Sequence, residues 1–216
     1  MSLNFRENDI VIFEGDSITR RAMNVNRTDW AYLRMMNWAE SYANIAEELI
    51  FSWKPELNLK FLHSAIGGST VKNLLERFDE CVKPFKPNWI ILTIGNNDVH
   101  SIELEEFSRL IKQYAAHVNG ELSAKLVFLG GFKELPNYQG DASGFIKTIP
   151  YHKELKRIAS ETGNYYIDVG EALAEKMDVL CRQYELHTAY GDGLHFNKLG
   201  NTIIAGEVLK AFGIIN

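Results

Sequence analysis

Trp89-Ile90-Ile91-Leu92-Thr93-Ile94 is an unbroken apolar run that stops at Gly95-Asn96-Asn97-Asp98. A strand with no polar alternation is covered on both faces, as in the centre of a parallel sheet flanked by helices. Four other short runs read as strands, Leu59–His63 among them by its alternation. Ile10-Val11-Ile12-Phe13-Glu14 ends in Gly15-Asp16-Ser17, and Leu59–His63 runs into Ser64-Ala65-Ile66-Gly67-Gly68-Ser69-Thr70. Lys125–Leu129 stops at Gly130-Gly131, and Tyr165–Val169 is the fifth. Helical spacing fills the intervals. Met35, Ala39, Tyr42, Ala46, Leu49 and Trp53 recur at steps of three and four from Trp30 until Pro55. Further helices follow at Val71–Phe78, Phe107–Val118, from Pro150 through Ala159, from Glu171 to Arg182, and from Lys198. Pro150 suits the first turn of its helix, and Trp30, Trp38 and Trp53 read as helix-packing residues.

Strands alternating with helices predict an α/β chain: a three-layer α/β/α sandwich, flavodoxin-like, with a five-stranded, mainly parallel sheet of order 2-1-3-4-5. The 216 residues read as a single domain spanning 1–216. In that order the ends of strands one, two and three surround one crevice. The segment Phe132–Thr148, with Leu135, Tyr138, Phe145 and Ile146, reads as the longest loop, and loops of that length are often functional.

A hydrophobic content of 46% with 24% charged residues needs neither metal nor disulfide to build a core. Cys81 and Cys181 have no Cys-x-x-Cys or His cluster near them and read as reduced thiols. The first residues, Met1-Ser2-Leu3-Asn4-Phe5-Arg6, lack a basic segment followed by an apolar one, so a cytoplasmic location is expected. No apolar run approaches the about 18 residues of a membrane span. A net charge of −5 without a basic, aromatic-rich patch argues against nucleic acid as a partner. Self-association is compatible with the sequence.

The strand-end stretches together hold the parts of an acyl-transfer site. Ser17, on a turn after a strand, is the candidate nucleophile. His195 is the candidate base, and Asp192, three residues earlier in Asp192-Gly193-Leu194-His195, is placed to orient it. The Ser17 and Gly68 N–H groups and the Asn97 side-chain amide are candidate donors to the oxyanion, each worth roughly 3–4 kcal/mol in the transition state. Asp16, Arg20, Asn96 and Tyr190 are candidates to line the substrate pocket. His63, His100, His117, His152 and His187 read as ordinary structural or surface histidines. Gly67-Gly68-Ser69-Thr70 could bind an anion, but it matches neither phosphate-loop pattern. No cofactor or metal site is indicated.

Gly15-Asp16-Ser17, Gly68, Gly95-Asn96-Asn97-Asp98 and Asp192-Gly193-Leu194-His195 resemble the four sequence blocks of the SGNH (GDSL-type) hydrolases in order and spacing. The resemblance spans residues 10 to 197. It implies a flavodoxin-like fold, no cofactor and hydrolysis of esters, with Ser17 as nucleophile, Gly68 and Asn97 as oxyanion donors, and Asp192 and His195 completing the triad. His195-Phe196 replaces the His-Pro of many members, and His63-Ser64-Ala65 stands where many have Asn, departures that bear on substrate rather than reaction. Overall length and the Ile-Val-Ile-Phe-Glu-Gly-Asp-Ser-Ile-Thr opening are similar to intracellular acetyl-xylooligosaccharide esterases. Acetyl esters of carbohydrates are therefore the expected substrates. A lipase-, lysophospholipase- or thioesterase-type acyl hydrolase is the alternative, and a sugar-binding domain without catalysis is a remote one.

Overall fold

The computed structural model describes residues 3–20, 41–132, 143–184, 189–190 and 194–216. Five strands form one parallel sheet: β1 (Ile10–Gly15), β2 (Lys60–His63), β3 (Trp89–Thr93), β4 (Lys125–Gly130) and β5 (Tyr165–Asp168). Their order is β2-β1-β3-β4-β5, as the alternation predicts. Ile12 lies opposite Ile90 and Gly15 opposite Thr93, so the ends of β1 and β3 reach the same edge. The described helices are α1 (Tyr42–Trp53), α2 (Val71–Cys81), α3 (Leu104–His117), α4 (Ser143–Glu161), α5 (Val169–Tyr184) and α6 (Lys198–Ala211).

Alternate side chains of each strand point to opposite faces, and the sheet divides two cores accordingly. Val11, Phe13, Ile91, Val127 and Leu129 pack towards α1, α5 and α6. Ile12, Ile90, Leu92, Leu126 and Phe128 pack towards α2, α3 and α4. This double burial explains why β3 carries no polar alternation.

Two expectations change. Pro150 lies well inside α4, which already begins at Ser143. The bond an N–H there would give to the Ile146 carbonyl is missing, and the helix continues across the gap. The favoured first-turn position of proline is a preference that packing against β4 and β5 overrides. Trp53 is 50% exposed at the end of α1 and does not pack into the core. Trp30, Met35, Trp38, Ala39 and most of the 132–148 segment, with Leu135 and Tyr138, lie outside the described residues. Ile146 is exposed on α4. Among the described residues no helix is long and apolar enough to cross a membrane.

Candidate active site

Gly15 ends β1 at φ +141°, and a Cβ there would stand 2.1 Å from the Thr93 carbonyl oxygen. Only glycine lets β1 turn away this close to β3. The turn then tightens around Asp16, whose carbonyl accepts from the Thr19 N–H at 3.3 Å and the Arg20 N–H at 3.1 Å. One carboxylate oxygen of Asp16 accepts from the Ile18 N–H at 2.9 Å. Ser17 is thereby held at the carboxyl edge of the sheet.

His195 comes to it from the far end of the chain: its Nε2 is 2.8 Å from Ser17 Oγ. The loop carrying His195 is fixed on both sides. Tyr190 and Phe196 form an antiparallel bridge with stacked rings, and the Asn197 N–H donates to the Ala189 carbonyl at 2.8 Å. The Asn197 side chain caps α6 by accepting from the Gly200 N–H at 3.0 Å. Buried Asn201 accepts from the Tyr42 N–H at 3.0 Å and donates to the Phe196 carbonyl at 3.0 Å, tying α1 to the histidine loop. Asp192 lies outside the described residues, as does His187.

The opposite wall of the site is the turn before α2. Gly68 adopts φ +82°, and a Cβ on it would meet nothing within 4 Å. Among the described residues neither the Ser17 nor the Gly68 N–H is committed to a protein acceptor. The Asn97 amide donates to the Ser69 carbonyl at 3.1 Å and, over a longer 3.4 Å, to Asp16 Oδ2. Arg20 flanks this turn: a Cβ at Gly67 would lie 3.3 Å from the Arg20 Nη1 and 3.7 Å from the Ser17 Cβ.

The other pocket candidates serve differently. Asp16 is fully buried and Asn96 is 3% exposed, with the Asn96 amide donating to Asp16 Oδ2 at 3.1 Å. These two support the Ser17 turn from within. Tyr190 is buried against Phe196.

Burial controls the charges. Removal from water pushes Asp16 up to about 6, opposed by the Ile18 N–H, the Asn96 amide and the charge of His195. Asp98 is also pushed up to about 6 by burial, opposed by the Val71 N–H and aided by the Asp16 charge. Asp98 clasps the site, accepting from the Val71 N–H at 2.8 Å and the Gly95 N–H at 3.2 Å. It joins the start of α2 to the end of β3, and its position in the Gly95–Asp98 block was its only sign in the sequence. Deeper, Glu14 is buried beside Arg77, with Arg77 Nε 3.5 Å from its Oε1, and the Tyr114 hydroxyl donates to it. Arg77 also donates to the Gly15 carbonyl at 3.1 Å and the Ser69 hydroxyl at 2.8 Å. Nothing in the sequence distinguishes Arg77 or Asn201 from other helix residues.

A serine hydroxyl against an imidazole, beside two uncommitted N–H groups, is equipped for acyl transfer. Among the described residues no group of three or more His, Cys, Asp and Glu side chains could hold a metal ion.

The GDSL-like Lipase/Acylhydrolase family matches residues 13–203. An acetylxylan esterase of Geobacillus stearothermophilus is 26% identical over 219 residues, 94% of this chain and 93% of that protein. Among solved structures, that bacterium's acetylxylan esterase Axe2 superposes with a TM-score of 0.77 at 25% identity, over 98% of this chain and 97% of its own. A candidate GDSL-like lipase from Parabacteroides merdae superposes with a TM-score of 0.80 at 19% identity, over the whole of both chains. The chain belongs to the GDSL-like lipase/acylhydrolase family and is a carboxylic-ester hydrolase.

Proposed function

We propose that this hydrolase removes short acyl groups, acetyl first, from carbohydrates through an acyl-enzyme formed on Ser17. The observation that carries the mechanism is the 2.8 Å contact between Ser17 Oγ and His195 Nε2. His195 takes the hydroxyl proton as Oγ attacks the ester carbonyl, then returns it to the departing sugar alcohol. Water repeats the sequence on the acyl-enzyme and releases the acid. Asp192, three residues before the base in the sequence, is the carboxylate we assign to orient the imidazole.

The carbonyl oxygen becomes an anion in both tetrahedral intermediates. The Ser17 and Gly68 N–H groups receive it, because no protein acceptor among the described residues competes for them. Asn97 adds a third donor by exchanging its long contact with Asp16 for the oxyanion. Arg20, beside Gly67, is the side chain we assign to meet the alcohol part of the ester.

The acetyl and carbohydrate assignments are supported by the acetylxylan esterase likeness, which extends over nearly the full length of both chains. Acetate release from acetylated xylo-oligosaccharides, set against fatty-acid release from a lysophospholipid, tests them. Faster turnover of the oligosaccharide is expected. Preference for the lipid would move the assignment to a long-chain acyl hydrolase.

A further inference from the structure

His152 is a buried histidine that the hydrolytic steps do not use. It lies on α4, 2% exposed, with the ring of Phe132 edge-on at 5.0 Å. Its Nε2 is 3.3 Å from Asn96 Oδ1. Asn96 Nδ2 in turn lies 3.1 Å from Asp16 Oδ2. The proton positions follow from the chain of contacts. The Asp16 carboxylate only accepts, so the Asn96 NH2 group faces it and the Asn96 carbonyl faces His152. The neutral ring must then carry its proton on Nε2. Among the described residues its Nδ1 has no hydrogen-bond partner, and burial holds its basicity down to about 4, so the ring is uncharged at neutral pH.

We propose that His152 is a positioning residue of the hydrolase site: its Nε2–H orients the Asn96 amide, and that amide keeps the buried Asp16 carboxylate ionised next to Ser17. An ionised Asp16 serves the reaction in two ways. It accepts the Ile18 N–H that shapes the serine turn. It also attracts the positive charge that His195 gains on taking the serine proton. Without the His152 donor, the Asn96 amide is free to turn its oxygen towards Asp16, which replaces a donor by a repulsive acceptor and favours protonation.

Among the described residues the charged and titratable neighbours are few. His195 acts on Asp16 from the histidine loop, and the Asp16 charge in turn raises Asp98 beyond the end of β3 and Tyr42 on α1. On the His152 side Asp168 acts from β5, where Lys156 is paired with it at 3.2 Å, and the Tyr166 hydroxyl donates to the His152 carbonyl at 3.4 Å. None of these takes the place of the Nε2–H at Asn96.

The inference rests on Ser17 and His195 as the reacting pair, and its test separates the two readings. Carboxyl-carbon NMR titration of Asp16, assigned with Asp16→Asn, needs no turnover. His152→Leu removes the donor, and His152→Gln restores one near the same place. We expect the Asp16 midpoint to rise by about one pH unit in H152L and to stay near the wild-type value in H152Q. On any ester the protein turns over, the acid limb of kcat/KM should move up with it, so that kcat falls about tenfold at pH 5 and only about twofold at neutral pH, with KM little changed. If H152L fails to fold, Asn96→Ala carries the same expectation. An Asp16 midpoint unmoved in H152L or N96A, or equally moved in H152Q, overturns the relay. Full activity in Ser17→Ala would instead overturn the reading on which it rests.

Discussion

Arg77 stands 3.5 Å from the buried Glu14 carboxylate and at the same time holds the carbonyl of Gly15, the residue that releases the chain from β1 into the serine turn. The ion pair is thus built into the floor of the site.

Arg77→Met should cost about 3–5 kcal/mol, because it leaves a buried carboxylate without its cation. Burial already raises the Glu14 pKa above its ordinary value. Ionisation therefore weighs against the folded state as pH rises above the unfolded value, and protonation relieves it below. Urea unfolding at pH 5 and pH 8 should show a smaller cost of the substitution at pH 5. An equal cost at both would mean that Glu14 does not depend on Arg77.

His152 makes the fold sensitive to acid in a defined window. Burial lowers it from 6.5 to about 4, so the unfolded chain binds the proton more readily between those values, and stability falls as pH drops through them. Asp16 and Asp98, pushed up to about 6, act in the opposite sense over part of this range. Comparing variants isolates the histidine. Between pH 7.5 and 4.5 wild type should lose about 2–3 kcal/mol more than His152→Gln. Parallel losses would contradict the burial of a neutral ring.

Two glycines separate packing from catalysis. Gly15→Ala puts a methyl group 2.1 Å from the Thr93 carbonyl and should cost more than about 3 kcal/mol in thermal or urea unfolding. Gly68→Ala meets no atom within 4 Å, and its φ of +82° carries only a penalty of about 1–2 kcal/mol. That variant should fold yet lose turnover, since strain at Gly68 displaces its N–H. A fully active G68A would remove Gly68 from the oxyanion donors.

Asn97→Ala should lower kcat by about 10²–10³ with little change in KM, the signature of a donor used mainly in the transition state. Steady-state kinetics on one acetyl ester measures it. A rise in KM alone would recast Asn97 as a binding residue.

The sheet was legible because its evidence is local: five short strand-like runs, four of them followed by a glycine-bearing turn, and helices with regular faces between them. Trp53 and Pro150 misled for the same reason, since spacing and proline preference do not report what a neighbouring element covers. Ser17 and His195 were recoverable from the company they keep in the four blocks. The support beneath them was not. His152 meets Asn96 across 56 positions, and Arg77 meets Gly15 across 62. No periodicity marks a polar residue whose partner is brought by the fold. Asn201 and Asp98 act through backbone groups at helix starts and the histidine loop, contacts that only the assembled layers define.

The central claim is that Ser17 carries the acyl group. Acid release from p-nitrophenyl esters, acetate to decanoate, with wild type and Ser17→Ala side by side, tests it most directly. Activity greatest on acetate in the wild type, and lower by about 10⁴ or more in the folded variant, is the predicted result. Equal activity in Ser17→Ala would contradict it.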